Sequence, residues 1–272
     1  MRVMARNPCD SGKNLLQWQG NKPWGRKERT IRMIEVRELI REGKSKRLYA
    51  TADPAQAVLY FKDEAMAFHG LKRGRILGKG EVNNAICRTL FTLLEQHGIR
   101  THFLRTLDSR QSLVKRVEML PVEIKVRNRV AGSLAERLGL PLGTKLHTPV
   151  VEFLLKNEAL GEPMVNISHI RAMQLASAEE MQFIVDTALE VNGILMGYMR
   201  EIGVELIDFQ LEFGRADGEM LLADDISPDS ARFWDARTHE PMDIDRFRRD
   251  LGNAEQAYQE LLARMMGAGD EA

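Results

Sequence analysis

The segment Leu206-Ile207-Asp208-Phe209-Gln210-Leu211-Glu212-Phe213 constrains the fold of this chain more than any other, because Ile207, Phe209, Leu211 and Phe213 alternate with Asp208, Gln210 and Glu212. Successive strand side chains point to opposite faces, so this period of two predicts a strand with one apolar and one polar face. Arg215-Ala216-Asp217-Gly218-Glu219 follows it and suits a three-residue hairpin loop with Gly218 in the left-handed region, which places Gln210 opposite Asp224. On that register Asp208, Glu212 and Asp224 share one face. Converging carboxylates repel one another unless a hard cation neutralises them, and magnesium prefers oxygen ligands, so the pattern points to a Mg-nucleotide site. A water-washed sheet face has the same spacing, and alternation by itself does not choose between the two.

Three loops bear on that choice. Asp224-Asp225-Ile226-Ser227-Pro228-Asp229-Ser230-Ala231-Arg232 packs acids, turn formers and an arginine into a short connection leaving the hairpin, the kind of segment that carries function. Arg127-Asn128-Arg129 runs into Ala131-Gly132-Ser133 at an expected helix start, combining guanidinium forks with backbone N–H groups suited to a phosphate; an ion-paired surface is the other meaning. Gly43-Lys44-Ser45-Lys46 precedes a strand rather than a helix, so it is neither a Walker loop nor a Rossmann turn. It reads as a glycine turn draped over a nucleotide between two strands, or as an exposed basic turn.

The 272 residues suffice for a substantial core, in one large domain or two lobes. No apolar run approaches the roughly 18 to 20 residues of a membrane helix. Lys plus Arg equals Asp plus Glu at 39 each, so the chain lacks the basic excess of a nucleic-acid binder, and any basic site must be local. Cys9 and Cys87 have no metal-ligand spacing and fit a reducing compartment, Cys87 as helix core; no two of the six histidines have the spacing of a helical zinc site. Residues 1–32 carry eight basic side chains against Asp10 and Glu28, a local charge of +6. Without an apolar signal core, that segment, with Trp18 and Trp24, reads as a basic extension ahead of a functional beginning at Met33; an Arg-rich targeting peptide is the alternative.

Lys46–Thr51 and Ala57–Lys62 read as a hairpin around Ala52-Asp53-Pro54, and Ser112–Val117 and Val122–Val126 as further strands. Val82, Ile86, Leu90, Leu93 and Leu94 have helical spacing that stops at Gly98. Ser177 and Glu180 form a capping-box pattern ahead of Met181, Ile184, Val185, Ala188 and Leu195, and residues 243–266 read as one closing helix. The expected class is mixed α+β.

Six segments, EGKSKRLY, FKDEAMAFHG, GKGEVNN, PVEIKVRNRVAGSL, LIDFQLEFG and DDISPDSARFWD, resemble those of the SAICAR synthase family in order and approximate spacing, from about Glu42 to the final helix. The resemblance implies a two-lobed α+β fold with a kinase-like, ATP-grasp-like nucleotide-binding half, here an ATP-binding lobe over 33–120 and a substrate- and metal-binding lobe over 121–272. It implies a cytoplasmic, homodimeric ligase that uses ATP and Mg2+ to join 5-aminoimidazole-4-carboxylate ribonucleotide to L-aspartate. Its partners are small molecules, not nucleic acid or membrane. Carried over by motif, Gly43, Lys44, Ser45 and Lys46 meet the ATP phosphates, and the connector from Glu118 to Glu123, including Met119, meets adenine. Glu212 and Asp224 bind magnesium, and Arg127, Ser133 and Arg232 hold the ribonucleotide. Lys46, Asp208, Gln210 and Asp229 carry the catalytic roles, the two aspartates positioning substrate or metal-bound water.

The chain departs from the family pattern at the site itself. Gln210 stands in a motif usually written DFKLEFG, Met66 replaces a small hydroxyl residue, His69 an Asn or Asp, Ile167 an acid and Asp225 a Glu. These changes raise a second reading, a paralogue ligating another amine or azole carboxylate, and a third, a nucleotide-binding regulator without catalysis.

Overall fold

The computed structural model describes residues 34–67 and 70–267. The basic extension over 1–32, the start at Met33 and His69 lie outside the described residues. The first part of the described chain runs β1 (Val36–Glu42), β2 (Lys46–Thr51), β3 (Gln56–Phe61), β4 (Glu64–Ala67), β5 (Lys72–Arg75), α1 (Lys79–Gln96), β6 (Phe103–Thr106) and β7 (Gln111–Lys115). Five of these strands form an antiparallel sheet in the order β1-β2-β3-β7-β6, while β4 and β5 pair as a separate hairpin. The expected hairpin is present with Lys46 opposite Phe61. Its approach is set by Gly43, whose N–H donates to the Lys46 carbonyl at 2.9 Å and closes a tight turn between β1 and β2.

The chain continues through β8 (Glu118–Arg129), α2 (Ser133–Leu138), β9 (Lys145–Leu155), β10 (Met164–Val165), α3 (Ile167–Ala172) and α4 (Ala178–Glu201). It ends with β11 (Val204–Ala216), β12 (Glu219–Ala223), β13 (Ala231–Asp235), α5 (Asp245–Arg248) and α6 (Ala254–Gly267). The second sheet is ordered β10-β9-β8-β11-β12, with β13 also pairing β11, and every ladder in it is antiparallel. The fold is α+β, as the alternation and helix signals indicated.

The apolar parities do the packing. Phe209, Leu211 and Phe213 of β11 and Leu120, Val122, Ile124 and Val126 of β8 are buried in one continuous core with Ile86, Leu90, Phe91 and Leu94 of α1. Helix α4 lies on β8 and β11 with Met181, Ile184, Ala188, Val191, Leu195 and Met199 at 1% exposure or less; complete burial of each larger side chain contributes about 1.5–3 kcal/mol. Its capping box forms as read: Ser177 Oγ accepts from the Glu180 N–H at 3.1 Å and Glu180 Oε2 from the Ser177 N–H at 2.8 Å.

Two expectations are corrected. The hairpin loop has two residues, not three: Asp217 (φ 52°) and Gly218 (φ 78°) both take positive φ, and Ala216 pairs with Glu219. Two left-handed residues match the right-handed twist of the flanking strands, which a longer loop does not need to do. Residues 243–266 are not one helix but α5 and α6, separated where Asp250, Gly252 and Asn253 all adopt positive φ.

Candidate functional site

A cleft of about 610 Å³ is walled on one side by Gly43, Lys44, Ser45 and Lys46 and on the other by Met119, Glu123, Gln210, Glu212, Asp224 and Asp229. Lys46, the first residue of β2, points across it and donates to Asp224 Oδ2 at 2.5 Å and to Asp225. Burial opposes the ammonium charge, but the Asp224 and Asp225 charges outweigh it and hold the Lys46 pKa well above the lysine range. Lys44 instead lies half-exposed, 3.6 Å from Glu158 and 3.7 Å from Glu162, geometry that adds little stability and leaves the side chain available.

The two-residue loop changes how the carboxylates meet. Glu212 pairs with Ala223, so a regular continuation of β12 would carry Asp224 to the opposite face, and Gln210 is not its partner: the Gln210 N–H donates to the Ser230 carbonyl at 2.9 Å. Asp224 reaches the cleft because its own backbone turns, with φ 63°. A non-glycine residue there is strained and needs surrounding contacts to hold it. His102 provides one, its Nε2 lying 3.0 Å from the Asp224 carbonyl, while its N–H donates to the Leu222 carbonyl at 2.9 Å. A carbonyl only accepts, so Nε2 carries the proton. Burial pushes the His102 pKa down to about 4, keeping the ring neutral near pH 7.

Glu212 is the electrostatically exposed member. Burial first, and then the Asp224 charge, push its pKa up to about 7, although Lys156 forms an ion pair with it. A carboxylate that resists ionisation beside a second carboxylate marks a place short of positive charge, and magnesium is held by one or two carboxylates together with nucleotide phosphates. The donor set therefore fits Mg2+ on Glu212 and Asp224. Asp208 does not belong to it: among the described residues no three His, Cys, Asp or Glu side chains converge as a metal set. The expected face of three carboxylates thus reduces to two, because arginines capture the third.

That capture forms a second cluster. Asp208, 2% exposed, accepts from Arg127 Nη1 at 3.1 Å and from Arg232 Nη1 at 2.9 Å. Arg127 also donates to Glu152 at 2.6 Å and to Ser133 Oγ at 3.1 Å, so Arg127, Ser133 and Arg232 are brought together as read. Gly132, at φ 52° and ψ −137°, allows it: a Cβ there would lie 2.7 Å from Arg232 Nη2. Burial opposes the Arg232 charge, but Asp208 and Asp245 hold its pKa above the arginine range. This cluster does not line the 610 Å³ cleft; it lies farther along the same strands, with Asp208 opposite Arg127 and Glu212 opposite Glu123.

The remaining assigned residues fall at the cleft with partners that the sequence did not single out. Asp229 is gripped by Lys79 at 2.5 Å, whose side chain is fully buried, and by Tyr258 Oη at 2.9 Å. Gln210 donates to Glu123. Met66 lines the cleft, Asp225 is spent on Lys46, and Ile167 sits 40% exposed on α3. The connector that was to hold adenine proves to be the start of β8, the true link being Arg116-Val117. Gly214 of β11 makes room for it, since a Cβ there would be 2.4 Å from Val117 Cγ2. No local pattern signals His102, Lys156, Lys79 or Tyr258: the first two lie just outside β6 and β9, and the others sit in helices α1 and α6 of ordinary pattern.

Residues 39–265 match the family described as SAICAR synthetase. A phosphoribosylaminoimidazole-succinocarboxamide synthase of Brevibacillus brevis is 52% identical over 235 residues, covering 86% of this chain and 98% of that protein. The crystal structure of phosphoribosylaminoimidazole-succinocarboxamide synthase from Ehrlichia chaffeensis superposes with a TM-score of 0.83 at 38% identity, covering 84% of this chain and 98% of that one. A SAICAR synthetase in complex with ADP superposes with a TM-score of 0.82 at 43% identity, covering 85% and 98%. Among the described residues no helix is long and apolar enough to cross a membrane.

Proposed function

We propose, from the premise that the chain belongs to the SAICAR synthetase family, a residue-level account of an ATP-dependent ligase of purine biosynthesis. The reaction joins 5-aminoimidazole-4-carboxylate ribonucleotide to L-aspartate, with ATP becoming ADP and phosphate. A carboxylate does not yield to an amine because oxide is a poor leaving group. Transfer of the γ-phosphoryl to a carboxylate oxygen gives an acyl phosphate and ADP; the aspartate amine then attacks the carbonyl carbon, phosphate departs with the C–O bond, and the nitrogen loses a proton.

The observation that carries this account is Lys46 facing Glu212 and Asp224 across one cleft. Lys46, together with the Lys44 and Ser45 N–H groups of the turn that Gly43 closes, takes the nucleotide phosphates, and the Val117–Met119 edge takes adenine. Glu212 and Asp224 hold Mg2+, which when bound neutralises phosphate charge. Arg127, Ser133 and Arg232 orient the ribonucleotide, with arginine's planar fork suited to phosphate or carboxylate. Asp208 fixes the two guanidinium planes, and Asp229, held by Lys79 and Tyr258, orients substrate near the amine. The account carries with it a cytoplasmic location, a homodimer, and a division into lobes over 33–120 and 121–272.

An ADP-release assay with the azole carboxylate and a panel of amines that includes aspartate tests it. Release that requires both the azole and aspartate is expected; release with another amine alone, or none at all, would sink the assignment.

A further inference from the structure

Two rungs of the β8–β11 ladder are spoken for. Arg127 opposite Asp208 is pinned by Glu152 and by the carboxylate it faces, and Glu212 opposite Glu123 is paired with Lys156. Between them the register sets Lys125 opposite Gln210, on the same polar parity as both flanking rungs. The Lys125 side chain is 15% exposed, and its nearest carboxylate oxygen, on Glu123, is 3.7 Å away, beyond hydrogen-bond reach. Gln210 holds that carboxylate instead. Among the described residues the Lys125 ammonium makes no hydrogen bond, although it has three donors and little water to satisfy them. Burial accordingly pushes its pKa below the lysine range. Among the described residues Glu123 is its one ion-pair partner, at a distance that leaves all three ammonium donors without a hydrogen bond.

Its position says what would use it. Rungs of equal parity lie about 7 Å apart along a strand, so Lys125 is one step from the nucleotide carboxylates and one step from the arginine cluster. A substrate held by the arginines must extend its reacting carboxylate toward the nucleotide, and it passes this rung. We propose that Lys125 is a substrate-binding cation that receives the azole carboxylate during its phosphorylation, with Gln210 taking the Glu123 oxygen in a hydrogen bond and so leaving the ammonium's donors free. This inference rests on the ligase reading above. A negatively charged oxygen there completes the ammonium's hydrogen bonds, and the positive charge lowers the repulsion between acceptor carboxylate and incoming phosphoryl.

The test uses the full chain as Lys125→Met, Lys125→Gln and Lys125→Met/Gln210→Lys, reading kcat/KM for the azole carboxylate, calorimetric affinity for Mg-ADP, and thermal midpoint. Both single variants should lose roughly 10- to 100-fold in kcat/KM, the scale of one charged hydrogen bond, with ADP affinity within about twofold of the parent. The double variant should regain most of the loss, since paired Cβ atoms lie only about 5 Å apart. Single variants within about threefold of the parent, a parallel loss of ADP affinity, or a double variant no better than Lys125→Met would each overturn the proposal. A parent without turnover on the azole carboxylate and aspartate would instead refute the ligase reading, and this assignment with it.

Discussion

Lys46 Nζ lies 2.5 Å from Asp224 Oδ2, a contact between residues 178 positions apart that joins the first sheet to the loop leaving the second. Lys46 is the cation that neutralises both Asp224 and Asp225 at the cleft. Lys46→Met should therefore cost folding stability as well as turnover, because Asp224 and Asp225 lose their partner inside a cleft. Breaking a buried pair costs about 3–5 kcal/mol, and the lower end applies here because the Asp224 side chain keeps 30% exposure. Mg2+ should then raise the thermal midpoint of Lys46→Met more than that of the parent, since it replaces the missing charge. Equal shifts in the two proteins would place Mg2+ binding away from Asp224.

Asp208 and Gly132 make a separate case. A side chain at Gly132 must displace Arg232 and also occupy a conformation that non-glycine residues rarely adopt, costing about 1–3 kcal/mol. Gly132→Ala should raise KM for the azole ribonucleotide at least about tenfold, the loss of one charged hydrogen bond, and leave ADP affinity unchanged. Loss of ADP affinity in the same proportion would show one damaged site instead of two.

How much of this was legible can be judged from β11. Its alternation gave the strand, the core parity and the polar parity of Asp208, Gln210 and Glu212, because local period and burial agree there. The turn was misread by one residue, since Ala216-Asp217-Gly218 and Asp217-Gly218 both put Gly218 in the left-handed region. Placing Asp224 at the cleft was then right only because an unforeseen backbone turn at Asp224 undoes the register error. Asp208 shares the polar parity of Glu212 but is held by Arg127 and Arg232, because strand parity says which face a side chain shares, not which neighbour on that face captures it. Lys156 and His102 lie 56 and 122 positions from the residues they serve, distances over which no local pattern carries information.

The glycine of Glu212-Phe213-Gly214 gives a further prediction. Gly214→Ala must push Val117 aside by a contact that falls to 2.4 Å, moving the link between β7 and β8 at the edge of the cleft. Mg-ADP affinity should weaken about tenfold, matching the roughly 1–3 kcal/mol of overpacking strain. Azole binding should hold, because the arginine cluster lies at the other end of β8. A variant with normal ADP affinity would remove the Val117–Met119 edge from the nucleotide site.

Asp63 gives the pH dependence. It is 5% exposed and accepts from Arg110 Nη1 at 2.7 Å, from the Gly80 N–H at 3.0 Å and from Arg75 at 3.3 Å. Burial works against its charge, but the Arg110 hydrogen bond and these other donors win, and its pKa falls from 3.8 to about 2. A carboxyl with a depressed folded pKa binds fewer protons folded than unfolded between those two values. Its stabilisation is therefore complete above about pH 4 and is lost as pH falls through about 2; a shift of this size is worth about 2 kcal/mol. Asp63→Asn should lower stability by about that amount at neutral pH and flatten the acid slope of the urea midpoint between pH 4 and 2. The effect should extend to turnover, because Asp63 anchors the first turn of α1, where Gly80 closes on the Phe61 carbonyl and Lys79 reaches Asp229. A variant that lost stability but kept the parent's slope over that pH range would mean that the ion pair to Arg110 contributes through packing, not through charge.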